Sequence, residues 1–183
     1  MSNQNILIIY VAAFLAVFCQ AALPGLREWL GAQVDLLPAL MVYTAMYASL
    51  VNVGLLAVLG GIWFDTLSAN PLGSTILPLF LTGLAIFTQR DLILRDLPFA
   101  QIVLGAGASA VVPLGTVLMM LSAGKPLLLD WGSLWQWVVM IAGGAVATPV
   151  VFAVFNWFDH VFGYKVRTES SFRPDRELRR SRL

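Results

Sequence analysis

The chain has one cysteine and one histidine, so it is nearly without the side chains most used for disulfides and soft metals. Cys19 has no partner for an internal disulfide, and Ala16, Val17 and Phe18 before it do not form a lipoprotein-type cleavage site. It is expected to pack as a small apolar residue. His160 has no cysteine or second histidine at ligand spacing, so no zinc, haem or other cofactor is expected. Charge is equally scarce. Only 11% of residues are charged and 59% are hydrophobic, against about a quarter charged in an ordinary soluble domain, which excludes water as the main solvent. No Lys or Arg precedes the first apolar run, whereas a secretory signal opens on a positive region. Ile6 to Leu23 is therefore read as a retained membrane helix.

The parts of a catalyst are missing too. Intramembrane aspartyl proteolysis needs two facing acids, yet Asp65 and Asp91 are expected at opposite membrane surfaces. Serine-type chemistry needs a base beside its nucleophile, and the one histidine lies beyond the final apolar run. Gly105 and Gly107 fall inside an apolar stretch without the flanking context of a phosphate loop. Neither enzymatic activity nor a nucleic-acid partner is expected.

What the sequence does have is apolar length. A helix needs about 20 apolar residues to cross a bilayer core. Ile6 to Leu23, Pro71 to Thr88, Phe99 to Leu121 and Val138 to Phe158 meet that requirement, the last led in by Trp131, Trp135 and Trp137, which suit a membrane interface. Leu36 to Phe64 is too long for one upright helix. Asn52 and Gly54 offer a polar, flexible break between Leu36 to Leu50 and Val53 to Leu67. The expected fold is thus an all-α integral membrane bundle of six transmembrane helices, with five, one of them long and tilted, as the alternative. Pro78, Pro113 and Pro149 are expected to kink the spans that contain them.

The basic residues set the orientation. Lys165, Arg167, Arg173, Arg176, Arg179, Arg180 and Arg182 crowd the C-terminal end, and the positive-inside rule puts that end, with Arg90 and Arg95, in the cytoplasm. Arg27 and Lys125 are then outside. The expected organisation is a bundle over residues 1–164 and a basic cytoplasmic tail over 165–183, the tail acting as a topology anchor attracted to anionic lipid. Arg90, Asp91, Arg95 and Asp96 read as solvated ion pairs in a cytoplasmic turn.

Within the third span, Gly54, Ala57, Gly61 and Asp65 recur at steps of three, four and four, along one helical face. Small side chains let two backbones approach closely, and an acid near the bilayer is a functional candidate by default. Solvation at the headgroup level is the competing reading. In the turn that follows, Asn70 is expected to cap the next helix, with Pro71 in its first turn. Gly105 with Ser109, and Gly143 with Ala147, are small pairs four apart that are expected to pack helices within the bundle.

The run Val51-Asn52-Val53-Gly54, followed by Gly60-Gly61-Ile62-Trp63-Phe64-Asp65-Thr66-Leu67-Ser68-Ala69-Asn70-Pro71-Leu72-Gly73, resembles the bacterial rod shape-determining protein MreD family, in which a glycine-bearing span leads to an Asp, a short polar turn and a Leu-Gly pair. Asp35-Leu36-Leu37-Pro38, leading into Tyr43 and Tyr47, is similar to that family's second span. The resemblance implies a non-catalytic subunit of the elongation machinery of the lateral cell wall, in the bacterial inner membrane. It implies MreC, RodA with its class B penicillin-binding protein, and MreB as partners. It also implies a fold similar to the substrate-binding subunits of energy-coupling factor transporters. On this reading Asn52, Gly54, Ala57, Gly61, Asp65, Asn70, Pro71, Leu72 and Gly73 are the expected partner-binding residues. The alternative is a small-solute-binding transporter subunit, for which Ala12 and Ala16 resemble a docking motif and Asp65, Ser68, Asn70, Ser74 and Thr75 are the main pocket-lining candidates.

Overall fold

The computed structural model describes residues 3–22, 31–68, 70–93, 97–124 and 131–162. Among these the chain is all-helical: α1 (Asn3–Ala22), α2 (Leu37–Tyr47), α3 (Leu50–Leu67), α4 (Ile76–Gln89), α5 (Pro98–Ser122) and α6 (Trp131–Phe162). Leu50–Leu67, Pro98–Ser122 and Trp131–Phe158 are long and apolar enough to cross a membrane, while Leu7–Gln20, Leu37–Tyr47 and Ile76–Gln89 are shorter apolar helices. The basic tail residues Lys165, Arg167, Arg173, Arg176, Arg179, Arg180 and Arg182 lie outside the described residues.

The centre of the bundle is α2. Every residue of it except Tyr47 is buried, and it touches each of the other five helices. A helix that is apolar all round has no face to offer water and belongs inside. Its start is set by Asp35, whose Oδ1 accepts the Leu37 N–H at 2.9 Å, and by Pro38 in the first turn, where a missing N–H costs nothing. Tyr43 packs edge-on against Phe152 at 5.2 Å and stacks with Phe155 at 4.4 Å, joining α2 to α6.

The break that splits residues 37–67 falls at Ala48 and Ser49, both with extended backbone, and not at Asn52 and Gly54. Asn52 stays helical because a neighbour satisfies its amide: the Tyr10 hydroxyl of α1 donates to Asn52 Oδ1 at 3.2 Å. Gly54 stays helical because it packs against the Phe80 ring of α4. Ser49 starts α3 instead, its carbonyl accepting the N–H groups of Asn52 and Val53 at 3.0 and 3.1 Å. Arg90 holds the other side of the break. Its Nη1 donates to the Ala48 carbonyl at 3.2 Å, and its guanidinium lies 4.2 Å from the centre of the Phe87 ring. The 3.9 Å pair with Asp91 is the weakest of its contacts, so Arg90 is a helix-end clamp as well as a member of a surface pair.

The closest helix crossing joins α5 to α6. A side chain on Gly105 would collide with Thr148 and the Gly144 carbonyl, and one on Gly144 would collide with Ser109. Gly105 and Ser109 thus pack within the bundle as expected, but they meet Gly144 and Thr148 instead of Gly143 and Ala147. The partner face on α6 is rotated by one residue because Gly143 is taken by the Val34 side chain from the segment before α2. Pro113 and Pro149 lie inside α5 and α6, whereas Pro78 falls in the first turn of α4, where it disturbs no internal hydrogen bond.

Gly144→Leu is expected to lower stability by about 1–3 kcal/mol or to prevent folding, through overpacking of the crossing. Gly107→Leu, at a position with nothing within 4 Å of the added carbon, should leave it nearly unchanged. Thermal unfolding of both variants in detergent checks the contrast.

Candidate functional site

The small-residue seam of α3 faces α4 of the same chain. A Cβ on Gly61 would come within 3.1 Å of the Ile76 backbone, Gly54 lies against Phe80, and Ala57 is fully buried. The face expected to receive another protein's segment is, at Gly54 and Gly61, packed by α4 of its own chain. The steric reason is that a Cβ at position 61 would press on the start of α4, 2.8 Å from Ile76 Cγ1 and 3.1 Å from its backbone.

Asp65 ends the seam, and it is neither solvated nor free. It is 2% exposed, and its carboxylate is wrapped by the turn it faces. Oδ2 accepts the Gly73 N–H at 2.8 Å and the Thr75 N–H at 3.2 Å. Oδ1 accepts the Thr75 hydroxyl at 2.5 Å, with the Ser74 hydroxyl at 3.5 Å. Thr75 is the N-cap of α4, so the acid of one helix stands at the N-terminus of the next. There its charge meets unsatisfied N–H groups and the positive end of the helix dipole. Gly73 makes this geometry possible. Its φ of +92° lies in the left-handed region that favours glycine, and it turns the chain so that two nearby N–H groups converge on one oxygen.

The other motif residues take supporting places. Asn70 and Pro71 do not begin α4, which starts at Ile76. The capping role expected of Asn70 is taken by Asp65, because residues 71–75 form a turn that the carboxylate organises. The Pro71 carbonyl accepts the Ser74 hydroxyl at 2.8 Å, and Leu72 is exposed. Ser68 donates to the Phe64 carbonyl at 2.7 Å, finishing α3. The structure thus brings Asp65, Gly73, Ser74 and Thr75 together, while Asn52 belongs to a separate contact with α1. For a solute pocket the same bonds are unhelpful, since Asp65, Ser74 and Thr75 already satisfy one another. Ala12 and Ala16 pack against the hydrophobic core of their own chain.

A second acid emerges that charge counting alone did not single out. Asp35 is 3% exposed, and burial pushes its carboxyl up to about 6, offset in part by the Leu37 N–H and by the nearby Gln20 amide of α1. The readable signal was its spacing: an Asp two residues before a helix that carries Pro in its first turn is a start signal. Gln20 left no such mark. No family model, curated protein or solved structure matches the chain.

Asp65→Ala strands two backbone N–H groups and a hydroxyl in a buried turn, which is expected to cost about 3 kcal/mol. Asp65→Asn keeps a carbonyl acceptor and should cost less. Thermal midpoints of the two purified variants measure the order, and equal midpoints would mean that the cap contributes nothing.

Proposed function

We propose that the chain is a non-catalytic, six-span scaffold subunit of the bacterial elongation machinery, MreD-like in kind, residing in the inner membrane with its C-terminus in the cytoplasm. In this reading it holds MreC and the synthases RodA and its class B penicillin-binding protein together, with MreB on the cytoplasmic side. The observation that carries it is the Asn52 to Gly73 segment. The features that make this segment resemble the MreD family, a glycine face, an Asp, a polar turn and a Leu-Gly pair, belong largely to one device, the α3 to α4 junction closed by Asp65. A partner could enter through the seam only by displacing α4, so partner contacts belong on other faces of the bundle. The transporter alternative has less behind it, because its docking alanines pack inward and its polar residues are satisfied by one another.

Affinity isolation of the tagged full chain from native membranes is the direct test. Enrichment of MreC and the wall synthases, with loss of rod shape on depletion of the chain, is the expected outcome. Recovery of transporter ATPases in their place overturns the proposal. Six spans also predict opposite accessibility for single cysteines placed at Asn70 and Asp91 in a background lacking Cys19: the first labelled from outside by an impermeant maleimide, the second only after permeabilisation.

A further inference from the structure

The outer surfaces of this bundle differ in apolar height. On α6 the exposed side chains run from Val138 through Val146, Val150 and Val154 to Trp157, about 29 Å from end to end, and the stretch 138–157 contains no Asp, Glu, Lys, Arg or His. That matches a hydrocarbon core of ~30 Å. α4 falls short of it. Its 14 residues rise only about 21 Å, and the side chains it turns outward are Leu77, Leu81, Ala85 and Thr88.

Polar groups bound this short surface at both ends, and neither set can be drawn into hydrocarbon. At one end is the turn 71–75, held by Asp65, with Leu72 exposed. Irregular backbone open to lipid does not occur inside the core. At the other end Gln89 is exposed and the Asp91 side chain is 85% exposed. An arginine at a helix end ordinarily stretches toward distant headgroups, but the Arg90 guanidinium is tied to the Ala48 carbonyl and lies over the Phe87 ring. α5 supplies an independent measure. Gly115 lies against Pro78; from that level α5 runs on for seven residues to Ser122, whereas α4 reaches only two residues on, to Ile76. The α4 flank therefore stands about 8 Å lower than α5, a step equal to its shortfall against α6. Tilting cannot make up the difference, since it shortens the reach of a helix along the bilayer normal.

We propose that the protein thins the bilayer along its α4 flank, drawing the two membrane surfaces to within about 21 Å of each other there, with short or disordered acyl chains packed on Leu77, Leu81 and Ala85. The α6 flank sits in membrane of ordinary thickness. The inference rests on the six-span reading, which makes α4 a span, and not on the partners of the elongation complex.

The test uses the full chain carrying Cys19→Ser in dioleoylphosphatidylcholine liposomes, with one nitroxide at a time on Leu77→Cys, Leu81→Cys or Thr88→Cys. Depth is read from collisions with oxygen and with a water-soluble nickel chelate. All three side chains are exposed, so labelling leaves the packing of the bundle alone. Leu77 and Thr88 are about 17 Å apart along the helix, so in a core of ordinary thickness at least one of them lies well inside. Thinning places both at headgroup depth, with a nickel-to-oxygen collision ratio several-fold above that of Leu81, and holds them there when the lipid is exchanged for the longer dierucoylphosphatidylcholine. Hydrocarbon depth at either Leu77 or Thr88, or sinking of either in the longer lipid, overturns the proposal while leaving α4 as a span. Free access of the nickel chelate to Leu81 overturns the span reading and the proposal together.

Discussion

The carboxylate of Asp65, buried against the first N–H groups of α4, is the constraint on which the junction of α3 with α4 depends. A charge in so dry a place survives only when its lone pairs are filled. Here a glycine with positive φ, a threonine backbone and a threonine hydroxyl fill them. Because the donors belong to the chain that follows α3, the acid dictates both where α4 begins and how closely it lies on the glycine seam. The seam and the acid are one junction. Gly61 allows the backbone of α4 to approach, and Asp65 holds it there.

A comparable logic operates around α2. With no lipid-facing side it depends on its two ends, which are closed by different chemistry: Asp35 accepts from its first turn, and Arg90 donates to the carbonyl just past its last. Helices around it pack through aromatic and small residues, and Phe14 against Trp63, 5.2 Å between ring centres, does for α1 and α3 what Tyr43 and Phe152 do for α2 and α6. The buried hydroxyls of Thr44, Thr82, Thr116 and Thr148 each donate to the carbonyl four residues earlier, so these four are satisfied within their own helices.

Much of this was legible in the residues. Apolar run lengths located the helices, and of the residues that the step pattern places on one face, Gly54 and Gly61 meet α4 and Asp65 meets its N-cap. What a linear pattern cannot say is which neighbour that face meets. The seam was read as a face for a partner, and in the fold it is α4, following the turn at Gly73, that lies against it. The helix break was misplaced for a related reason: Asn52 is polar enough to end a helix, but a tyrosine 42 positions away satisfies it. The rotation of the α6 face from Gly143 to Gly144 depends on where Val34 lands, which is again a long-range fact. Asp35 and Arg90 were visible as charges, yet their burial and their bonds belong to the assembled bundle.

The shortness of α2 bears on how the protein is made. Eleven residues rise only ~16 Å, about half of what a bilayer core demands of an independent helix. Emerging alone from the insertion machinery, such a segment gains too little from lipid to remain there. In the bundle it is covered by the helices packed around it, α4, α5 and α6 among them. The place of α2 therefore depends on helices that follow it in the chain, and a product lacking them would leave its apolar surface uncovered.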